Sequence, residues 1–334
     1  MIAITQFYRG AVQLLARTGL GRLMRGLHSG KPCILTFHGL RADDDEGLLD
    51  DSLHTPVSVF RSVCRHLARS YNVVPLSEIV RALEMNEKLP GNSVAITFDD
   101  GYESNHALAY PVLREFGLPA TIFVTTGFVD GTEHLWFHRL EHAFASAGRD
   151  VAAFAKAAQK IKALPQEEVA AEIGRVEAEI GIDYSLLPVK PAIFRPLTWA
   201  QIREMHDSGL VEFGGHTHRH LIVGRCLPKT AREEIFTSRN RLAQEVGVAP
   251  RLFAYPNGKP GDLTAETGRL LREAGYLAAF SMTPGFVQSS CNRFAIPRYG
   301  APSTLGETEA TVSGTFETLK QWRAGTRHAF AAWI

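Results

Sequence analysis

Short apolar runs that stop abruptly at polar or glycine residues alternate along this chain with longer stretches whose apolar residues fall at helical spacing. Four such runs end in residues able to do chemistry. They are 33–37 before His38-Gly39, 94–98 before Asp99-Asp100-Gly101, 211–214 before Gly215-His216, and 251–255 before Pro256-Asn257-Gly258. Residues 71–74, 120–124, 277–281 and 294–297 read as further strands. Near-continuous apolar runs of this length suit strands covered on both faces. Helical periodicity marks 57–69, 76–85, 107–116, 199–208, 229–246 and 264–274, with Ser77, Thr198 and Thr264 standing at helix starts. Strand then helix, many times repeated, predicts a parallel sheet. Polar residues gathered after strand ends are where a βα barrel builds its site.

One segment breaks the rhythm. From about residue 133 to 195 the chain carries Ala, Glu and Lys at helical spacing over 136–147, 150–164 and 165–180, which reads as a helical insertion in the barrel. The expected organisation is an amphipathic helix within 1–30, a barrel over 31–310 holding that insertion, and a C-terminal tail over 311–334. Over residues 4–27, Phe7, Leu14, Leu15, Leu23 and Leu27 alternate with Arg9, Arg17, Arg22 and Arg25. Arg17 interrupts the apolar run, which does not suit a secretory signal. The favoured expectation is a helix packed on the barrel, and the alternative is a basic helix resting on an anionic membrane surface.

At 334 residues the chain can bury a full α/β core. Its 36 basic and 35 acidic residues leave a net charge of +1, so nothing calls for nucleic acid as the main ligand. The cysteines Cys33, Cys64, Cys226 and Cys291 are scattered without metal-ligand spacing. Free thiols fit a reducing compartment, and a cytoplasmic protein, peripheral to the membrane at most, is the expectation.

Paired carboxylates at one strand end and histidines at another suggest a metal with a base beside it. One carboxylate and two imidazoles leave a position open for water on a divalent ion, and the second carboxylate is then free to take a proton. On a helical turn His216 and His220 share a face while His218 points away; in an extended segment His216 and His218 would pair instead. Successive strand residues point oppositely, so Asp99 and Asp100 line one pocket only if the chain turns, which Gly101 permits. His138-Arg139-Leu140-Glu141-His142 also matches a zinc-binding spacing, but it lies in the insertion. There the expectation is that Trp136, Phe137 and Leu140 face the barrel and both histidines lie on the polar face. No G-x-S-x-G elbow or phosphate-binding G-x-x-x-x-G-K-[ST] loop is present.

Thr97-Phe98-Asp99-Asp100-Gly101-Tyr102 with Asn105, then Pro119–Val124, then Gly215-His216-Thr217-His218-Arg219-His220 resemble the polysaccharide deacetylases, carbohydrate esterase family 4. The resemblance covers roughly 31–125 and 196–300. Ile34-Leu35-Thr36-Phe37-His38-Gly39 resembles the early histidine element of the circularly permuted branch, which includes poly-N-acetylglucosamine deacetylases. The resemblance implies a distorted (β/α) barrel of about seven strands. It also implies a divalent metal, Zn2+ or alternatively Co2+, Ni2+ or Fe2+, held by Asp100, His216 and His220. Asp99 would be the general base, His38 the general acid, and the Thr217 hydroxyl a brace for its loop. Residues 253–258 resemble the element whose backbone N–H, here that of Asn257, helps hold the oxyanion. Ala254 stands where many members carry an arginine that orients the base, and Arg298 could supply that cation. Tyr102 and Tyr255 are expected to touch substrate. The implied reaction is hydrolysis of the acetamide of an N-acetylated polysaccharide, oligosaccharide or glycolipid. The alternatives are a small non-carbohydrate amide as substrate and a non-catalytic sugar-binding barrel.

Overall fold

The computed structural model describes residues 20–45, 49–187 and 191–319, together with Gly10. Its strands are β1 (Cys33–Phe37), β2 (Gly39–Arg41), β3 (His54–Pro56), β4 (Asn72–Val73), β5 (Ser93–Phe98), β6 (Ala120–Val124), β7 (Val211–Gly215), β8 (Leu252–Ala254), β9 (Ala278–Phe280) and β10 (Tyr299–Gly300). The main sheet is parallel throughout and ordered β10-β1-β5-β6-β7-β8-β9, a curled sheet of seven strands, with β4 paired beside β5. β2 and β3 form a separate parallel pair.

Strand parity divides the core. Leu35, Phe37, Ile96, Phe98 and Ile122 face outward onto the surrounding helices, through Phe60 and Leu67 of α2 (Val57–Ser70) and Leu113 of α4 (Tyr110–Phe116). Ile34, Ala95, Phe123, Ala254, Phe280 and Ile296 have the other parity and fill the lumen, where Ile79 of α3 (Leu76–Met85) joins them. This alternation is the reason both faces read as apolar in sequence.

The segment expected as a strand over 294–297 is not one. Only Ile296 bridges to Phe280, and the chain then crosses to pair Tyr299 and Gly300 with Leu35 and Thr36 of β1. Pro297 has no N–H to continue a ladder, and the Arg298 N–H turns instead to the Thr283 carbonyl. The crossing segment thus links the two edges of the sheet and drops Arg298 into the lumen.

Thr198 and Thr264 cap α9 (Trp199–Asp207) and α11 (Ala265–Ala274) through reciprocal side-chain bonds. Ser77 does not cap; Pro75 precedes α3, and the Ser77 hydroxyl bonds Glu212. The insertion forms α6 (Trp136–Ser146), α7 (Val151–Lys162) and α8 (Val169–Ile180), packed about their own core of Trp136, Phe137, Leu140, Phe154, Ile161 and Ile173. Of the N-terminal helix, α1 (Leu20–His28) is described, while residues 1–9 and 11–19 lie outside the described residues, as does 320–334 of the tail. The expected boundary at 310/311 falls inside a helix, α12 (Leu305–Val312). Its Glu309 accepts from the Tyr71 hydroxyl at 2.9 Å, lies 2.7 Å from His66 Nε2 and pairs with Arg25 of α1 at 3.1 Å. No helix among the described residues is long and apolar enough to cross a membrane.

Candidate metal centre and catalytic site

Ala95, Thr97 and Asp99 share the lumen-facing parity of β5, so Asp99 points inward without distortion. Asp100 would by parity point the other way. It instead takes φ +75°, followed by Gly101 at φ +90°, which swings its carboxylate back across the strand end. A non-glycine residue held there is strained by roughly 1–3 kcal/mol, and such strain concentrates at working sites.

The histidine loop is not a helical turn. β7 runs on through Gly215, and the chain then bends with Thr217 at φ +66° and His220 at φ +60°. His216 and His220 do meet on one side, but loop geometry brings them together. The glycines before them do more than end a strand. A Cβ at Gly214 would lie 2.5 Å from the Phe123 ring, and one at Gly215 would lie 2.2 Å from the Tyr276 hydroxyl. The Thr217 hydroxyl donates to the His216 carbonyl at 2.6 Å, and the His218 ring turns away to Thr126 of the short helix α5 (Thr126–Val129) at 2.9 Å.

Asp100 Oδ1 lies 3.3 Å from His216 Nε2 and 3.2 Å from His220 Nε2. Among the described residues this trio is the one group able to hold a metal. The His216 Nδ1 sits 2.8 Å from the Ala254 carbonyl, which can only accept, so Nδ1 carries the hydrogen. In the neutral ring Nε2 then aims a lone pair at a carboxylate oxygen. Both Asp100 oxygens and His220 Nδ1 are buried with no hydrogen-bond partner among the described residues. Lone pairs facing one another in a dry pocket call for a cation between them. A tetrahedral centre with bonds of about 2.0–2.1 Å spaces its ligands about 3.3–3.4 Å apart, so the donor set fits such an ion.

The charges are arranged accordingly. Burial pushes the Asp100 carboxyl up, but His220 and His216 outweigh it and hold it well below the usual carboxylate range. The two histidines differ. Burial depresses both, yet His216, facing Asp100 and near Asp99 as well, ends above its ordinary value, whereas His220 ends below. Asp99 is also raised by burial and brought down more strongly by Arg298, with His216 and His38 adding to it.

Arg298 is fully buried and grips Asp99 in a fork, Nη1 to Oδ1 and Nη2 to Oδ2, both at 2.8 Å. Its Nε donates to the Ser281 carbonyl at 3.2 Å and Nη1 to Thr97 Oγ1 at 3.3 Å. The guanidinium lies over the Phe123 ring. His38 follows β1 on the same rim, where its charge is felt at Asp99 and Asp100, and its carbonyl accepts from Asn105 Nδ2 at 2.7 Å. Asn257 holds φ +59° with its side chain bonded to the buried Asp262.

Two residues expected to touch substrate are buried. Tyr102 and Tyr255 are both fully buried, the first with its hydroxyl 2.8 Å from His138 Nε2 and the second donating to the Phe294 carbonyl at 3.0 Å. Neither side chain is exposed in the ligand-free chain. His138 is likewise not on a polar face: its ring stacks on Phe194 at 4.1 Å, because α6 is covered on both sides. Phe137 does face the barrel and meets the His220 ring at 5.3 Å.

Sequence reasoning missed Glu234 on α10 (Pro228–Val246). It is buried and accepts from the His218 N–H at 3.0 Å, the Arg219 N–H at 2.7 Å and Arg219 Nε at 2.6 Å, clamping the strained histidine loop. The signal was an acidic residue on the inward stripe Ala231, Ile235, Ser238 and Leu242.

With this geometry established, the comparisons with known proteins agree. The family model described as polysaccharide deacetylase matches residues 86–279, and the chain belongs to that family. A poly-beta-1,6-N-acetyl-D-glucosamine N-deacetylase of Staphylococcus aureus is 24% identical over 219 residues, covering 63% of this chain and 55% of that protein. The Escherichia coli protein of that name is 24% identical over 247 residues, covering 66% of this chain and 29% of its own length. This chain spans about half or less of the curated relatives it matches. Among solved structures, the Streptococcus pyogenes deacetylase PplD in complex with acetate shares the fold at TM-score 0.59 and 17% identity, covering 84% of this chain and 96% of that one. IcaB from Ammonifex degensii gives 0.57 and 21%, covering 85% and 97%. The family implies a divalent metal, which the Asp-His-His set fits.

Proposed function

We propose that this chain is a metal-dependent N-deacetylase that hydrolyses the acetamide of an N-acetylated sugar and releases acetate. The observation that carries this reading is the meeting of Asp100 Oδ1, His216 Nε2 and His220 Nε2 beside a second carboxylate clamped by a buried guanidinium. Zn2+ is the ion proposed, since two imidazoles and one carboxylate suit it; Co2+, Ni2+ and Fe2+ accept the same donors.

When bound, the ion supplies a Lewis acid that lowers the pKa of a coordinated water to about 7. Asp99 would receive a proton from the water that attacks the acetamide carbon. Arg298 occupies one lone pair on each Asp99 oxygen, leaving the others free and the carboxylate fixed in orientation. The backbone N–H of Asn257 faces the carbonyl oxygen as it turns negative, a contact worth roughly 3–4 kcal/mol in comparable sites. His38 gives a proton to the departing nitrogen, and acetate and a free amino sugar leave. The proposed setting is cytoplasmic. Leu23 and Leu27, 61% and 66% exposed on α1, support a peripheral membrane contact, which liposome flotation with and without anionic lipid would test.

The test is acetate release from N-acetylglucosamine oligomers by chelator-stripped protein reloaded with zinc. Asp99→Asn should keep zinc and lose about 100-fold or more in turnover, whereas His216→Ala should lose both. Native turnover by Asp99→Asn would overturn the base assignment. Failure to release acetate from any N-acetylated sugar would overturn the activity.

A further inference from the structure

The insertion is latched to the loop that follows the metal ligands. Arg225 Nη1 donates to the Lys162 carbonyl at 2.7 Å, the Ile222 N–H to Gln166 Oε1 at 3.0 Å, and the Leu227 N–H to Glu167 Oε1 at 2.8 Å. These bonds fix the C-terminal end of α7 and the segment after it against the loop at 222–227. There the Lys162 ammonium lies over the Trp136 ring at 6.0 Å, and Trp136 precedes Phe137, which touches His220. Lys162 is half-buried and, among the described residues, has no hydrogen-bonded or ion-paired acid, while the Asp100 charge is felt at it.

The surrounding charges do not neutralise it. Asp262 is taken by Arg225 Nε at 2.8 Å, by Asn257 and by the Lys259 N–H at 3.1 Å. Lys259 adds a second ammonium charge felt at Lys162, as is the charge of Asp50. A metal at the Asp-His-His trio would offset the Asp100 charge as well. Holding a long cationic side chain half out of water on an aromatic face, with no acid of its own, is worthwhile where an anion arrives to meet it.

We propose that Lys162, supported by Trp136 and Lys259, forms a subsite for an anionic substituent of the amino sugar, so that the substrate is a charged sugar rather than a neutral glycan. The proposal deepens the deacetylase reading and rests on it for the word substrate. The anion is a phosphate or a carboxylate; Lys162 meets either as a point charge.

Products, which cannot turn over, separate this claim from the hydrolase claim. Calorimetry on the zinc-loaded chain should show glucosamine 1-phosphate or muramic acid binding about tenfold or more tightly than glucosamine, and whichever is tighter identifies the anion. Lys162→Met should abolish the preference and Lys162→Arg should keep it. Equal affinities in the native chain would overturn the subsite. A preference that survives in Lys162→Met would do so too, since the anion would then be sitting on the zinc. A melting temperature equal to native in Lys162→Met, together with the lost preference, supports the proposal. Loss of the preference in Lys162→Arg as well would mean that the packing of α7 had failed, and would count against it. A Lys162-dependent preference in a protein that releases no acetate from any N-acetylated sugar would leave the subsite standing and sink the deacetylase reading.

Discussion

Replacing Arg298 with methionine tests the lumen's electrostatics more sharply than any other single change. The side chain is fully buried and makes four hydrogen bonds, two of them the fork on Asp99. Removing one partner of a buried pair leaves the other uncompensated, at a loss of about 3–5 kcal/mol. The sign of the pH dependence follows from Asp99. In the native chain its carboxyl is held below 3.8, so its contribution to stability is present above that value and is lost only as pH falls through the lower folded value. Without Arg298, burial prevails and the folded carboxyl rises above its unfolded value. The variant's deficit should then be full at neutral pH and shrink as pH falls toward 4. Urea titration of chelated protein at pH 7.5 and 5 would measure it. Asp99→Asn combined with Arg298→Met should recover part of the loss, because no lone charge remains. A deficit under about 1 kcal/mol, or one that grows on acidification, would refute the reasoning.

Other expectations follow from single contacts. Glu234→Gln removes the carboxylate that holds the histidine loop and should weaken zinc binding about 10–100-fold in a chelator competition, with secondary structure unchanged by circular dichroism. Gly214→Ala forces a methyl into Phe123 and the Leu252 carbonyl, and should destabilise by about 1–3 kcal/mol in the same urea assay. Burial, then the neighbouring His38 charge, depresses His54 to about 4. Stability should therefore be undiminished above about 6.5 and fall by up to about 3 kcal/mol as pH drops from there toward 4. In His54→Gln that portion of the pH dependence should vanish.

Much of the barrel was legible because its strands are apolar on both faces and end in distinctive residues. Residues 33–37 and 120–124 were read to the residue. The failure at 294–297 came from Pro297, which diverts the ladder at the point where sheet closure needs it, a tertiary event that no local period announces. The pairing of His216 with His220 was anticipated from a helical turn, whereas strained loop residues bring them together. Arg298 was identified as a candidate cation by a gap at Ala254, and only the crossing segment explains how it reaches Asp99. Tyr102 and Tyr255 looked functional in sequence because they carry polar tips on large rings, and both are buried. His138, expected on a polar face, is buried because its helix is covered on both sides, on one of them by Phe194.

The central claim is a cation held by one carboxylate oxygen and two imidazole nitrogens. Anomalous scattering from a zinc-loaded crystal tests it directly. One peak should lie about 2.0–2.1 Å from Asp100 Oδ1, His216 Nε2 and His220 Nε2. A map with no peak there, or with zinc instead at His138, Glu141 and His142, would contradict the account.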